Sequence, residues 1–318
     1  MDTLSLRIIR SLFGTIEHVA PRLAGRFAFE LFCRTPDPLR QSAKERRVLA
    51  QADAFMKRAR RHRLTTAYGD FTAYEFTNWG ARRDGPAVLV LHGWRSRTEH
   101  MRPVIEALLA RGFRVVAVDL PGHGRATGRK LHMPNAVAAV HAAALWLGPF
   151  DTAVGHSFGG AVALNAATGS VRQVPPIGLR RLVMIASPNS LPRLFCEFGA
   201  AVGLGPRTQA ALEGMVQRLA GTPLAAFEGA LQLKAFAAPT LIIHAPEDKE
   251  VPADDAEAMA AAGDHVSLAW APGLGHRRIL GDAAVAARAA EFAASRPERP
   301  LTGAIGDKSD PLRLHSPS

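Results

Sequence analysis

The chain has 318 residues, 47% of them hydrophobic, a net charge of +11 and two cysteines. That length and apolar content suit one large α/β domain with additions, or two small domains, and exclude a disordered or fibrous chain. Cys33 and Cys196 stand far apart with no CxxC spacing, which argues against a zinc framework or disulfide scaffold and makes a reducing, cytoplasmic setting the expectation; no metal or cofactor is expected.

Residues 1–65 hold 14 Lys/Arg against 6 Asp/Glu, so +8 of the charge belongs to the N-terminal segment. Lys57, Arg58, Arg60, Arg61 and Arg63 form its densest run, read as a solvated helix face ending in a basic turn. No nucleic-acid motif or aromatic stripe accompanies it, so nucleic acid is not expected as a partner. Arg7 and Arg10 interrupt the first apolar stretch, which argues against a signal peptide, and no stretch has the uncharged length of about 20 residues that a membrane span needs.

From Leu4 to Phe32, Ile8, Leu12, Ile16, Val19, Leu23, Phe27 and Leu31 recur at helical spacing, with Pro21 opening a second helix. Two readings stand for this amphipathic pair: peripheral contact with a membrane, or packing of the stripe on the protein's own body. The second is preferred. A third helix is predicted from Ser42 to Arg60, completing an N-terminal helical extension over residues 1–64.

At Thr65 the texture changes. TAYGDFTAYEFTNWG alternates like a hairpin or meander, and PAVLVLHG, FRVVAVDLPGHG, DTAVGHS, LRRLVMIASP, PTLIIHAPED and HVSLAWAPGLGH follow. Each is a continuous apolar run ending in a polar loop, as buried parallel strands read. Helices are predicted between most of them: Glu99–Arg111, Asn135–Leu147, Phe158–Ala167, Ala253–Ala262 and Asp282–Ala294. The alternation implies a doubly wound, mostly parallel α/β sheet, with functional residues at the carboxyl ends of its strands. Residues 65–188 and 238–295 form this core, 189–237 a helical cap insertion without strands, and 296–318 a disordered tail.

GHSFG at 155–159 sits between an apolar run and a small-residue helix. About 0.1 Gly-x-Ser-x-Gly patterns are expected by chance in such a chain, but the strand-to-helix context is that of a nucleophile elbow. A serine hydroxyl needs a base, and the base an orienting acid. His276, in the GLGH loop after the last predicted strand, is the candidate base. His92 and His123 are read as loop-shaping, His156 as pointing away from Ser157, and His244 as packed in the sheet. Glu247, Asp248 and Glu250 follow LIIHAP; Asp248 is preferred, because the SPNS loop after LVMIA offers no carboxylate. The backbone N–H groups of Trp94 and Phe158 are the expected oxyanion hole. Arg95, Arg97 and Arg277 lie close in sequence to this site and are read as facing solvent, the alternative being that they hold an anionic group of the substrate.

HGW at 92–94, DLPGHG at 119–124, GHSFG, the DKEVP run at 248–252 and GLGH at 273–276 together resemble the α/β-hydrolase superfamily, and in particular bacterial hydrolases with an N-terminal helical extension and a GLGHRRIL-type loop. Ala126, where many relatives place serine after GHGR, is a small departure. The resemblance implies transfer of an acyl group from a small-molecule ester or thioester to water by a Ser157–His276–Asp248 triad; the apolar cap favours a hydrophobic acyl group. Serine at the nucleophile position argues against a dehalogenase or epoxide hydrolase. An acyltransferase, a C–C or amide hydrolase, and a noncatalytic binding scaffold stay open.

Overall fold

The computed structural model describes residues 3–37, 40–77 and 87–295. The predicted tail at 296–318 lies outside them. In chain order the elements are α1 (Thr3–Val19), α2 (Pro21–Cys33), α3 (Ala43–Met56), β1 (Arg60–Thr66), β2 (Gly69–Phe76), β3 (Ala87–Leu91), α4 (Arg102–Ala110), β4 (Arg114–Asp119), α5 (Met133–Leu147), β5 (Thr152–His156) and α6 (Phe158–Thr168). Then follow β6 (Arg181–Ile185), α7 (Leu191–Val202), α8 (Pro206–Ala220), α9 (Gly229–Ala235), β7 (Thr240–His244), α10 (Ala253–Ala260), β8 (Val266–Trp270), α11 (Gly275–Arg278) and α12 (Ala283–Ala294).

The eight strands form one sheet in the order β1-β2-β4-β3-β5-β6-β7-β8. β2 runs antiparallel to β1 and β4, and every other pairing is parallel. This is the mostly parallel, doubly wound sheet expected from the apolar runs. Side chains alternate between two cores: Leu89, Leu91, Val116 and Val118 join one with α5 and α6, while Val88, Val90, Val115 and Ala117 join the other with α4 and α12. Burial on both faces is why these strands read as unbroken apolar runs; each valine or leucine among them contributes about 1.5–3 kcal/mol.

The basic run departs from its sequence reading. The third helix ends at Met56, and β1 begins at Arg60, ahead of the expected boundary at Thr65. β1 is an edge strand whose charges meet carboxylates across the ladder: His62 Nε2 lies 2.9 Å from Glu75, and Arg63 and Thr65 both bond Asp70. Cross-strand pairing stabilises cationic residues in a strand, and charge on an edge discourages further pairing.

The N-terminal helices lie on the α7–α8 helices. Arg10 Nε donates to the Ala201 carbonyl (2.9 Å), and buried Glu17 accepts the N–H groups of Arg207 (2.8 Å) and Thr208 (2.9 Å) at the start of α8, where the helix dipole favours a carboxylate. The face that packs is not the stripe picked from the sequence. Phe13, Ala24, Gly25, Ala28, Phe29 and Cys33 are buried, whereas Ile8, Leu12, Val19, Leu23 and Phe27 are exposed, and Ile16 and Leu31 are intermediate. Close approach of two backbones selects small residues: a Cβ on Gly25 would stand 2.6 Å from Ala211 Cβ and 2.9 Å from Leu212 N. Among the described residues no helix is long and apolar enough to cross a membrane.

Gly25→Ala discriminates docked from free α2 by sign. In a free helix it would stabilise by about 1 kcal/mol; against α8 the added methyl overpacks, and urea unfolding is expected to show a loss of about 1–3 kcal/mol.

Candidate active site

Ser157 stands between β5 and α6 with φ 52° and ψ −126°. This strained turn lifts its side chain off the sheet, and its N–H donates to the Ile185 carbonyl at 2.8 Å. The surrounding glycines leave no room for a side chain. A Cβ on Gly155 would lie 2.4 Å from Gly160 N, and one on Gly159 would lie 2.5 Å from the carbonyl oxygens of Leu91 and His92.

His276, in α11 after β8, reaches this serine across the carboxyl ends of the sheet. Its Nε2 lies 3.0 Å from Ser157 Oγ and its Nδ1 lies 2.8 Å from Asp248 Oδ2. A carboxylate only accepts, so Nδ1–H donates to Asp248; in the neutral ring Nε2 is then the acceptor, and Ser157 O–H donates to it. The Asp248 side chain is fully buried. Burial alone would raise its pKa, but hydrogen bonds from His276 and from the N–H groups of Val251 and Glu250 together outweigh burial and hold it below the usual value.

Phe158 opens α6, where the first N–H groups have no intrahelical acceptor, and its ring stands edge-on to Trp94 at 6.1 Å. The loop carrying Trp94 is tied to the loop after β4 by two histidines. His92 donates from Nδ1 to the Gly93 carbonyl (2.8 Å) and accepts the Leu120 N–H at Nε2 (3.0 Å). His123 donates to the Pro121 carbonyl (3.1 Å) and accepts the Arg95 N–H (3.0 Å). Both roles need neutral rings, and burial lowers both pKa values, that of His92 well below the ordinary one. His156 turns away to donate to the His276 carbonyl (2.9 Å); burial, with His276 alongside, pushes its pKa down to about 3. His244 is buried in β7 and bonds the Val251 carbonyl.

Three carboxylates support the site: Asp119 was not singled out from the sequence, and Glu247 and Glu250 were weighed there only as alternatives to Asp248. Asp119, fully buried at the end of β4, accepts from Thr98 N (3.0 Å), Thr98 Oγ1 (2.8 Å), Arg125 N (2.8 Å) and the Tyr74 hydroxyl (3.1 Å), and so joins both loops to β2. A carboxylate ending an otherwise apolar strand was its only signal. Glu247 accepts the Gly275 N–H (3.0 Å) and braces the histidine loop. Glu250 places an oxygen 3.8 Å from His276 Nε2. Of the three arginines read as solvent-facing, Arg95 is exposed and Arg277 is largely so, paired with Glu250; Arg97 is buried and bonds Glu99 at 2.9 Å, because a neighbouring carboxylate compensates its desolvation. Among the described residues no group of three His, Cys, Asp or Glu side chains is placed to hold a metal ion.

Ser157 and His276 line a cavity of about 1200 Å³. Its apolar walls come from α2, α7 and α8. Phe32 stacks on Phe195 with ring centroids 4.3 Å apart and meets Phe198 edge-on at 5.1 Å. Arg34, Arg40, Arg95 and Arg129 also border the cavity.

The model of the Alpha/beta hydrolase family matches residues 88–294, more than half the chain. The chain belongs to the alpha/beta hydrolase family. A pimeloyl-[acyl-carrier protein] methyl ester esterase from Xanthomonas oryzae pv. oryzae is 30% identical to this hydrolase over 259 residues, 67% of the chain and 97% of that protein. A non-heme haloperoxidase from Rhodococcus erythropolis is 29% identical over 252 residues, 65% of the chain and 90% of that protein. Among solved structures, Est1E from Butyrivibrio proteoclasticus with ferulic acid bound shares the fold with a TM-score of 0.60 at 18% identity, covering 73% of this hydrolase and 97% of that chain.

His132, at the cavity wall, caps α5: its Nδ1 accepts the Asn135 N–H (3.2 Å). Burial, with Lys130 nearby, lowers its pKa to about 4, against about 6.5 in an unfolded chain. The unfolded state therefore takes up this proton first as pH falls, so the stability contribution is complete above about pH 6.5 and is lost progressively toward pH 4. His132→Asn keeps a capping acceptor and removes the titration. Urea unfolding at several pH values is expected to show a slope shallower by about one proton across that window.

Proposed function

We propose that this hydrolase cleaves a carboxylic ester or thioester of hydrophobic acyl character by way of an acyl-enzyme on Ser157. The observation that carries this reading is the unbroken relay from Asp248 through His276 to Ser157, at 2.8 and 3.0 Å, opening on an apolar cavity.

Ser157 Oγ attacks the carbonyl carbon as His276 Nε2 takes its proton. The resulting imidazolium is held by the Asp248 carboxylate, which also keeps Nδ1–H fixed so that Nε2 faces the serine. The tetrahedral oxyanion accepts hydrogen bonds from the Trp94 and Phe158 N–H groups. Its collapse breaks the carbon–oxygen or carbon–sulfur bond, and His276 returns the proton to the departing alcohol or thiol. Water, deprotonated by His276, then attacks the acyl-enzyme, releasing the carboxylic acid and restoring Ser157. A methyl ester of an acyl group, the substrate class in the name of the Xanthomonas relative, belongs to this chemistry. The aromatic wall of Phe32, Phe195 and Phe198 favours an acyl chain over a polar one.

Intact mass after treatment with a fluorophosphonate should show one adduct on the wild-type protein and none on Ser157→Ala. Asp248→Asn, which favours the wrong histidine tautomer, is expected to lower turnover of p-nitrophenyl esters roughly ten-thousandfold, and Glu247→Gln, which keeps its acceptor, to change it little. No adduct on the folded wild-type protein would instead favour a binding scaffold. Phe32→Ala removes the ring between Phe195 and Phe198, and a chain-length series of esters should shift toward longer acyl groups by about tenfold in kcat/KM.

A further inference from the structure

The N-terminal helices are apolar on two sides, and the fold uses only one. On α1, Phe13 and Glu17 are buried, whereas Ile8, Leu12 and Val19 are 60%, 55% and 83% exposed. At 100° per residue the exposed three fall within an arc of about 40°. On α2, Ala24, Ala28 and Phe29 face inward while Leu23 and Phe27 are 48% and 57% exposed. Val19 and Leu23 flank Ala20, the single residue that joins the two helices. A soluble surface does not normally concentrate large apolar side chains in this way.

The unpaired charges beside the stripe have one sign. Arg7, Arg22 and Arg26 are exposed and have no carboxylate partner among the described residues. Glu17 is buried on α8, and Glu30 is paired with Lys130. A second copy of this face would set cation against cation, whereas an anionic lipid surface complements both the apolar stripe and its arginines.

We propose that α1 and α2 dock the hydrolase in the plane of an anionic phospholipid bilayer, with Ile8, Leu12, Val19, Leu23 and Phe27 entering the acyl boundary and Arg7, Arg22 and Arg26 at the headgroups. The opposite face of α2 carries Phe29 and Phe32, which line the cavity, so docking sets the cavity wall about one helix diameter, or about 10 Å, from the lipid. This surface is separate from the triad, and its test does not depend on the reaction.

Flotation of the full chain with phosphatidylcholine vesicles, with and without about 30% phosphatidylglycerol, tests the assignment. Binding is expected to the anionic vesicles only, and to weaken between about 50 and 500 mM salt. Leu12→Ser with Phe27→Ser, both outside the cavity, should abolish flotation while leaving the melting temperature and turnover of a soluble short-chain ester unchanged. Arg7→Gln, Arg22→Gln and Arg26→Gln together should weaken it by about tenfold or more. Absence of flotation, or equal flotation of the serine variant, overturns the proposal. So does light scattering that finds a dimer in the wild type and a monomer in the serine variant, which would give the face to a second copy.

Discussion

The site depends on one backbone constraint, the positive φ of Ser157 at the junction of β5 and α6. Holding a non-glycine residue there costs free energy and is possible only where the neighbours leave no alternative. The turn folds Gly155 onto Gly159 and Gly160, and packs Gly159 under the carbonyls of Leu91 and His92. A Cβ on Gly93 would in turn stand 2.8 Å from Ser157 Cβ. The glycine pattern around the serine is therefore a record of atomic spacing. It also explains why α6 can start so close to β3 that its first N–H groups and the Trp94 loop share one side of the site.

Around that turn the polar groups are arranged so that each has a fixed role. His92 and His123 act as neutral connectors between backbones, and burial keeps them so. Asp119 collects donors from two loops and from β2. His276 differs in kind, being placed between a buried carboxylate on one ring nitrogen and a hydroxyl on the other. The same side-chain chemistry thus serves as scaffold or, in the proposed reaction, as proton carrier according to what each ring nitrogen faces.

The helices over the strand ends give the cavity its apolar character, and the N-terminal helices are part of that cover. Because α2 approaches α8 through alanine and glycine, its large side chains are distributed elsewhere: Phe29 and Phe32 toward the cavity, Leu23 and Phe27 away from the protein. Helical periodicity alone picks out an apolar face, and here the more conspicuous of two faces is the outer one. The buried face is marked by small residues, which carry little hydrophobic signal.

The strand-like runs, the loops at their ends, and the glycines flanking Ser157 were legible in the sequence, since doubly buried strands and a crowded turn restrict residue type locally. Ser157, Asp248 and His276 could be nominated because each follows the carboxyl end of a strand. Their mutual distances could not, because these depend on the sheet order that brings β5, β7 and β8 together. The edge strand at Arg60–Thr66 was hidden because its charges are matched by Glu75 and Asp70 across the ladder, a pairing that exists only after folding. The partners of Arg97, Asp119 and Glu247 were hidden for the same reason. Local sequence determines which conformations and burial a segment tolerates, whereas the partner of a polar group, and the face a helix buries, are decided by what the rest of the chain brings to it.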